Sequence, residues 1–272
     1  MLNSTALAAI PLTVMGCTNP ECLIDKAEDA LQPPIAQIQT AQARGPVSHD
    51  DLAAAVKKVD AQFGGKSGIA VFDGDSMQSA GVTGGYPAWS TSKVPIAIAA
   101  EQKGTATLDL LNKAITYSDN AAAQQLWASL GDSVAAGEAA EKVLAEGGDN
   151  QTVYPSTHPR PGYTFFGQLD WTLENQARFS YNLPRIKGAA PVIKAMMTPD
   201  PAQQYGLRTL PGAAMKGGWG PDKTGAYDVL QIGRTNLHGH EVGIAIYAHP
   251  DAGTYEDAQR ALTALVDEVA RH

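Results

Sequence analysis

Apolar residues fall along the chain at helical spacing in some stretches and in short runs bounded by turn residues in others, and the changes outline the elements. "SHDDLAAAVKKVDAQF" (48–63) opens with a helix-start signal and carries apolar positions at helical spacing, which predicts a helix. "SGIAVFDGD" (67–75) reads as a strand, Gly74 and Asp75 as a turn, and "MQSAGVTG" (77–84) as a second, antiparallel strand. From Ser90 to about Met197 the pattern is mostly helical, with alanine-rich runs such as "NAAAQQLWASL" and "SVAAGEAAEKVLAEGG". One interruption, "DNQTVYPSTHPRPGYTFFG" (149–167), carries three prolines and predicts a long ordered loop, a feature that is commonly functional in a compact domain. After Tyr205 strand character returns in "GAAMKGGWG", "YDVLQIGRTN" and "EVGIAIYAHP", separated by turns at "PDKTG" and "LHGH". The helix predicted over "TYEDAQRALTALVDEVARH" has one apolar face to lay against that sheet.

This order of elements segregates strands from helices and predicts an α+β architecture. Its parts are a five-stranded antiparallel sheet, flanking N- and C-terminal helices, and an all-helical lobe. The folded unit is expected over 49–272, with the α/β lobe at about 49–89 and 205–272 and the helical lobe at about 90–204. Residues 17–48, rich in Pro, Gln and Ala, read as a tether.

Composition adjusts this picture in three places. Of 272 residues, 44% are hydrophobic and 18% charged, enough for a sizeable core. A net charge of −8 with no lysine or arginine cluster argues against nucleic acid as a partner. Cys17 and Cys22 are the two cysteines, which excludes a disulfide framework and a thiol-built zinc site, and His238 and His240 read as turn residues around Gly239. No metal or cofactor is expected. The uncharged segment "MLNSTALAAIPLTVMG" (1–16) ends in "VMGC", which predicts a bacterial lipoprotein signal with Cys17 as the lipidated residue. The expected location is therefore the cell envelope, on the outer face of the cytoplasmic membrane, for a monomer that touches the membrane only through its lipid anchor.

The candidate chemistry begins in "AWSTSKVPIAIAA" (88–100), where Ser90 and Lys93 stand three apart at the mouth of an apolar helical run. Residues at that spacing share a helix face. A lysine in a partly dry site loses its proton more readily and can act as a base toward a serine hydroxyl. Ser118-Asp119-Asn120, in "ITYSDNAAAQQLW", can be a helix N-cap, a reading compatible with a second role. In "MKGGWG", Lys216 lies on a predicted strand beside two glycines that permit close backbone approach.

With the three elements in this order, residues 49–272 resemble the serine β-lactamases and penicillin-binding transpeptidases, whose signature is S-x-x-K, S-D-N and K-T-G. The literal Lys223-Thr224-Gly225 sits in a predicted turn. Lys216-Gly217-Gly218 has the family's spacing to the next core strand and is preferred. The resemblance implies Ser90 as the acylated nucleophile and Lys93 as its proton acceptor. It also implies Ser118 as a proton shuttle, Lys216 as the positive field for a substrate carboxylate, and Asn120 as a substrate contact. Gly217, Gly218 and Trp219 would line the substrate strand, and the N–H groups of Ser90 and Trp219 would form an oxyanion hole. Implied partners are a β-lactam or a peptidoglycan stem peptide. Class A enzymes carry a loop glutamate that activates water, and residues 149–170 here contain none, which predicts slow release of the acyl group. Two alternatives stay open: an active β-lactamase, and a non-catalytic cell-wall or protein binding module. Trp89, Trp127 and Trp171 are expected to be packing residues.

Overall fold

The computed structural model describes residues 45–155, 157 and 160–271. The expected signal segment, Cys17 and most of the tether lie outside the described residues. Five strands form one antiparallel sheet: β1 (Lys66–Phe72), β2 (Met77–Gly81), β3 (Ala214–Pro221), β4 (Tyr227–Leu237) and β5 (His240–His249), in the order β2-β1-β5-β4-β3. The helices are α1 (His49–Phe63), α2 (Lys93–Lys103), α3 (Leu108–Ile115), α4 (Asn120–Ser129), α5 (Ser133–Glu146), α6 (Leu173–Asn182), α7 (Ala189–Met196) and α8 (Tyr255–Val269).

The period-2 pattern sorts the sheet's side chains onto two cores. Ile69, Val71, Ile244, Ile246 and Val229 join the layer containing residues of α1 and α8, such as Leu52, Leu262 and Leu265. Ala70, Phe72, Leu230, Ile232, Ala245 and Tyr247 face the other way, into the core shared with α2 to α7. Lys216 lies one position on from Met215, which joins the first core, so it falls on the face toward the helical lobe. That parity aims a cation at the helices.

Helix starts follow the local chemistry. Ser48 caps α1 in a reciprocal box with Asp51, and Thr107, Asp119, Asp132, Thr172 and Thr254 each accept a backbone N–H at their own helix starts. Each such cap is worth about 1 kcal/mol. The sequence places a helix start near Ser90; the α-helix in fact begins at Lys93, after a 3-10 turn over Trp89–Ser92. Bonds three residues back hold that turn: the Thr91 amide and hydroxyl donate to Ala88 O, and the Ser92 hydroxyl donates to Trp89 O. In α2, Lys93 to Ala100 are all buried, so this helix forms the axis of the helical lobe.

The loop over 149–170 is anchored to the segment before α2. The Ala88 amide donates to Leu169 O at 2.8 Å, and Pro87 bridges Asp170. The Tyr154 hydroxyl donates to Ser92 O at 3.4 Å. Trp127 is buried against Tyr154, Phe165 and Phe166. Ser90 is thereby held between this loop, the sheet edge and α4. No helix of the described residues is long and apolar enough to cross a membrane.

Candidate active site

Three distant segments meet at Ser118. Lys216 Nζ donates to Ser118 Oγ at 2.8 Å and to Gly217 O at 2.8 Å. From the opposite side Lys93 Nζ reaches Ser118 O at 2.5 Å, Asn120 Oδ1 at 2.7 Å and Ser118 Oγ at 3.4 Å. The tripeptide divides its roles: Asp119 caps α4 by accepting the Ala122 amide at 2.7 Å, which leaves Ser118 and Asn120 to the lysines. Ser118 has φ 59°, the left-handed region, as does Trp89 next to Ser90. Among the described residues a third non-glycine, His238 in the β4–β5 turn, shares this conformation. Two of the three therefore border one site, where strain of about 1–3 kcal/mol each persists because the surroundings enforce it.

Both lysines are only 1% exposed, and neither has an ion-pair partner among the described residues. Burial pulls Lys93 down from 10.5 to about 7, with the charge of Asp119 opposing the shift. Lys216 is driven well below its ordinary value, first by burial and then by the charge of Lys93. A neutral Lys93 amine has two N–H bonds and a lone pair. With the N–H groups on Ser118 O and Asn120 Oδ1, the lone pair is left for a hydroxyl proton.

Ser90 is half-buried and lines a cavity of about 210 Å³ with Trp89, Asn120, Tyr163, Thr164 and Trp219. Gly218 presses against its backbone: a Cβ there would lie 2.7 Å from Ala88 O and 3.0 Å from Ser90 N, so the strand could not approach with any side chain at 218. Gly217 is under no such constraint, since its Cβ would meet nothing closer than 3.7 Å. β3 is one of the sheet's two edge strands, so its outer backbone groups have no strand partner. Trp219 leans on Tyr255 at 5.5 Å and borders the cavity. Lys223 lies in an exposed turn built on Asp222, whose Oδ1 accepts from the Thr224 amide and hydroxyl and the Ala226 amide.

Three features escape a reading of the sequence. Ser90 Oγ takes part in no hydrogen bond among the described residues, so the Ser90–Lys93 contact expected from their spacing is not formed, because Lys93 Nζ is turned to Ser118 and Asn120. Trp89, expected to be packing alone, is 6% exposed and also forms a wall of the cavity, with Gly220 beneath its ring. Arg160, in the loop, donates to Pro221 O at 2.5 Å and Asp222 O at 3.0 Å, strapping the loop to the β3–β4 turn. The adjoining "PRPG", a rigid arginine-bearing turn, was the one available signal for this strap. The loop's two carboxylates face elsewhere. Asp149 is buried under the Gln151 and Thr152 amides and the Trp171 indole, and Asp170 is exposed beside Pro87.

No family model matches the chain, and no curated protein matches it. Solved structures do. The TLA-3 extended-spectrum β-lactamase is 14% identical with TM-score 0.66, over 82% of this chain and 98% of that one. A β-lactamase from Chitinophaga pinensis is 14% identical with TM-score 0.64, over 81% and 98%. A variant of the last common ancestor of Gram-negative bacterial class A β-lactamase is 21% identical with TM-score 0.58, over 81% and 96%. The chain has the serine β-lactamase fold.

Proposed function

We propose that this chain is a serine acyl-enzyme that opens a β-lactam, or cleaves an amide of the D-Ala-D-Ala type, through Ser90 and releases the acyl group slowly. The observation that carries this reading is Ser118 Oγ held between two buried lysines, 2.8 Å from Lys216 and 3.4 Å from Lys93, beside the cavity that contains Ser90. A fold alone requires none of this, and burying two lysines without an ion-pair partner weakens it.

In the proposed reaction Ser90 Oγ attacks the carbonyl carbon and its proton passes to the neutral Lys93 amine. The tetrahedral intermediate collapses as the C–N bond breaks. Ser118 gives its hydroxyl proton to the leaving nitrogen and is reprotonated by Lys93 through their shared contact. Lys216 holds positive potential for a substrate carboxylate, and the substrate lies along the edge strand β3 by strand addition. Such proton transfers contribute about 10²–10⁴-fold each. Rotation of the Ser90 hydroxyl toward Lys93 on substrate binding completes the relay, and catalytic contacts are commonly loose before substrate binds. Slow release is supported by the absence of any carboxylate among the described residues around the Ser90 cavity.

The unengaged Ser90 hydroxyl favours a second reading, a binding module that never acylates. Labelling with a fluorescent penicillin separates the two: wild type takes up covalent label and Ser90→Ala takes up none. Absence of label on wild type would establish the binding module instead.

A further inference from the structure

The cavity at Ser90 is not the largest in the molecule. A chamber of about 770 Å³ lies on the other side of the Arg160 strap, bounded by the loop at Gln168 and Asp170, the start of β4 and the end of β5. Two features mark it as built. Its floor is a pair of stacked tyrosines, Tyr86 and Tyr247, with ring centroids 3.8 Å apart and planes 7° from parallel. On that floor stands a carboxylate, Asp228, only 5% exposed, with what remains open lying on the chamber.

Asp228 is half satisfied. Its Oδ1 accepts the Tyr247 hydroxyl at 2.6 Å, while Oδ2 takes no hydrogen bond among the described residues. Three cations, Lys66, Arg160 and Lys223, and the imidazole of His249 line the same chamber, and none forms a hydrogen bond or ion pair with Asp228 among the described residues. Arg160 donates to the carbonyls of Pro221 and Asp222, and His249 Nε2 lies 3.2 Å from Asp222 Oδ2. Lys66 and Lys223 are exposed and form no ion pair among the described residues. A carboxylate this enclosed, with one oxygen free and two tyrosine rings lining the same chamber, is matched by a compact cation that brings its own donors: ammonium hydrogens for Oδ2 and a charge for the rings.

We infer that this chamber is a second ligand site, separate from the Ser90 cavity, which binds a primary alkylammonium group through Asp228 over the Tyr86–Tyr247 stack. The chain's net charge of −8 draws such cations toward it, and Asp228 gives one a fixed position.

The test is a titration of the full chain with n-butylammonium chloride, followed by amide and tyrosine shifts in NMR spectra, with n-butanol as the neutral control. The expected result is saturable shifts at Asp228, Tyr247 and Tyr86 for the ammonium, at least about tenfold weaker for Asp228→Asn, and none for butanol. Asparagine keeps an oxygen for the Tyr247 hydroxyl, so this variant folds, and an unchanged melting temperature checks it. Ser90→Ala is expected to bind as wild type does, which keeps this result separate from the acylation reading. Equal shifts in wild type and Asp228→Asn, or no saturable shift in wild type, would overturn the proposal and leave Asp228 as a partner of Tyr247 alone.

Discussion

Beside each of the two cavities that meet at Arg160 lie buried ionisable groups, basic near one and acidic in the other, with no ion-pair partner among the described residues. On the Ser90 side are Lys93 and Lys216, both 1% exposed and gathered on one serine; on the other is Asp228, 5% exposed, above stacked tyrosines. Burying ionisable groups without partners weakens a fold. Chemistry is proposed for the first group and recognition for the second. The Arg160 strap lies between the two. Arg160 binds main-chain oxygens of the β3–β4 turn and lies 4.2 Å over the Tyr163 ring, neutralising neither cavity.

The largest effect that could break this contrast comes from the lysine side. Lys93→Met is expected to slow acylation by about 10³-fold, measured by stopped-flow uptake of a fluorescent penicillin. The same change should raise the melting temperature by roughly 3 °C, because an unpaired buried amine is exchanged for an apolar chain of similar length. Loss of both rate and stability would mean that Lys93 is a structural donor to Ser118 and Asn120, not a base.

Next in size is the pH profile. Lys93 acts as a base only when neutral, and its value of about 7 sets the window. Acylation should therefore rise about tenfold per pH unit below 7 and level off above it. The stability consequence has a definite sign. Between about 7 and 10.5 the unfolded chain binds a proton at Lys93 that the folded chain does not, so stability rises with pH across that window. Urea melts at pH 7 and pH 9 check this, and an acylation rate flat from pH 5 to 9 would remove Lys93 as the base.

Smaller effects probe the walls. Gly218→Ala should cost about 1–3 kcal/mol and impair acylation, since its Cβ would collide with Ala88 O, whereas Gly217→Ser should be tolerated within about 1 kcal/mol. Chemical denaturation of the two variants tests that asymmetry. Arg160→Ala should cost about 1–2 kcal/mol for two lost charged hydrogen bonds while leaving acylation by benzylpenicillin within about tenfold of wild type. Abolished acylation would show that the two cavities work as one site.

Much of this molecule is legible in its sequence, for identifiable reasons. The sheet and its flanking helices follow from patterns that are local: short apolar runs bounded by turns in 67–72 and 242–248, helical spacing in 48–63, and caps such as Ser48 and Thr254. Lys216 could be told from Lys223 as the strand residue because Pro221 marks a turn before 223 and a longer gap separates 216 from the next core strand. What the sequence hides depends on non-local register. Tyr247 meets Tyr86 because β5 pairs with β4 and a segment preceding α2 folds back over both, and no window of the chain contains that event. The Arg160 strap joins residues about sixty positions apart. The left-handed conformation of Trp89, at the start of the 3-10 turn before α2, is equally invisible, since tryptophan carries no preference for it.

The most direct test of the central claim is an intact-mass time course of the wild-type chain with excess benzylpenicillin, with peptide mapping of the product. The expected result is one added penicilloyl mass, carried by Ser90 and persisting long after free drug is removed. An unmodified mass at every time point, with the drug unconsumed, would contradict acylation, and an adduct that vanishes while drug is consumed rapidly would contradict slow release.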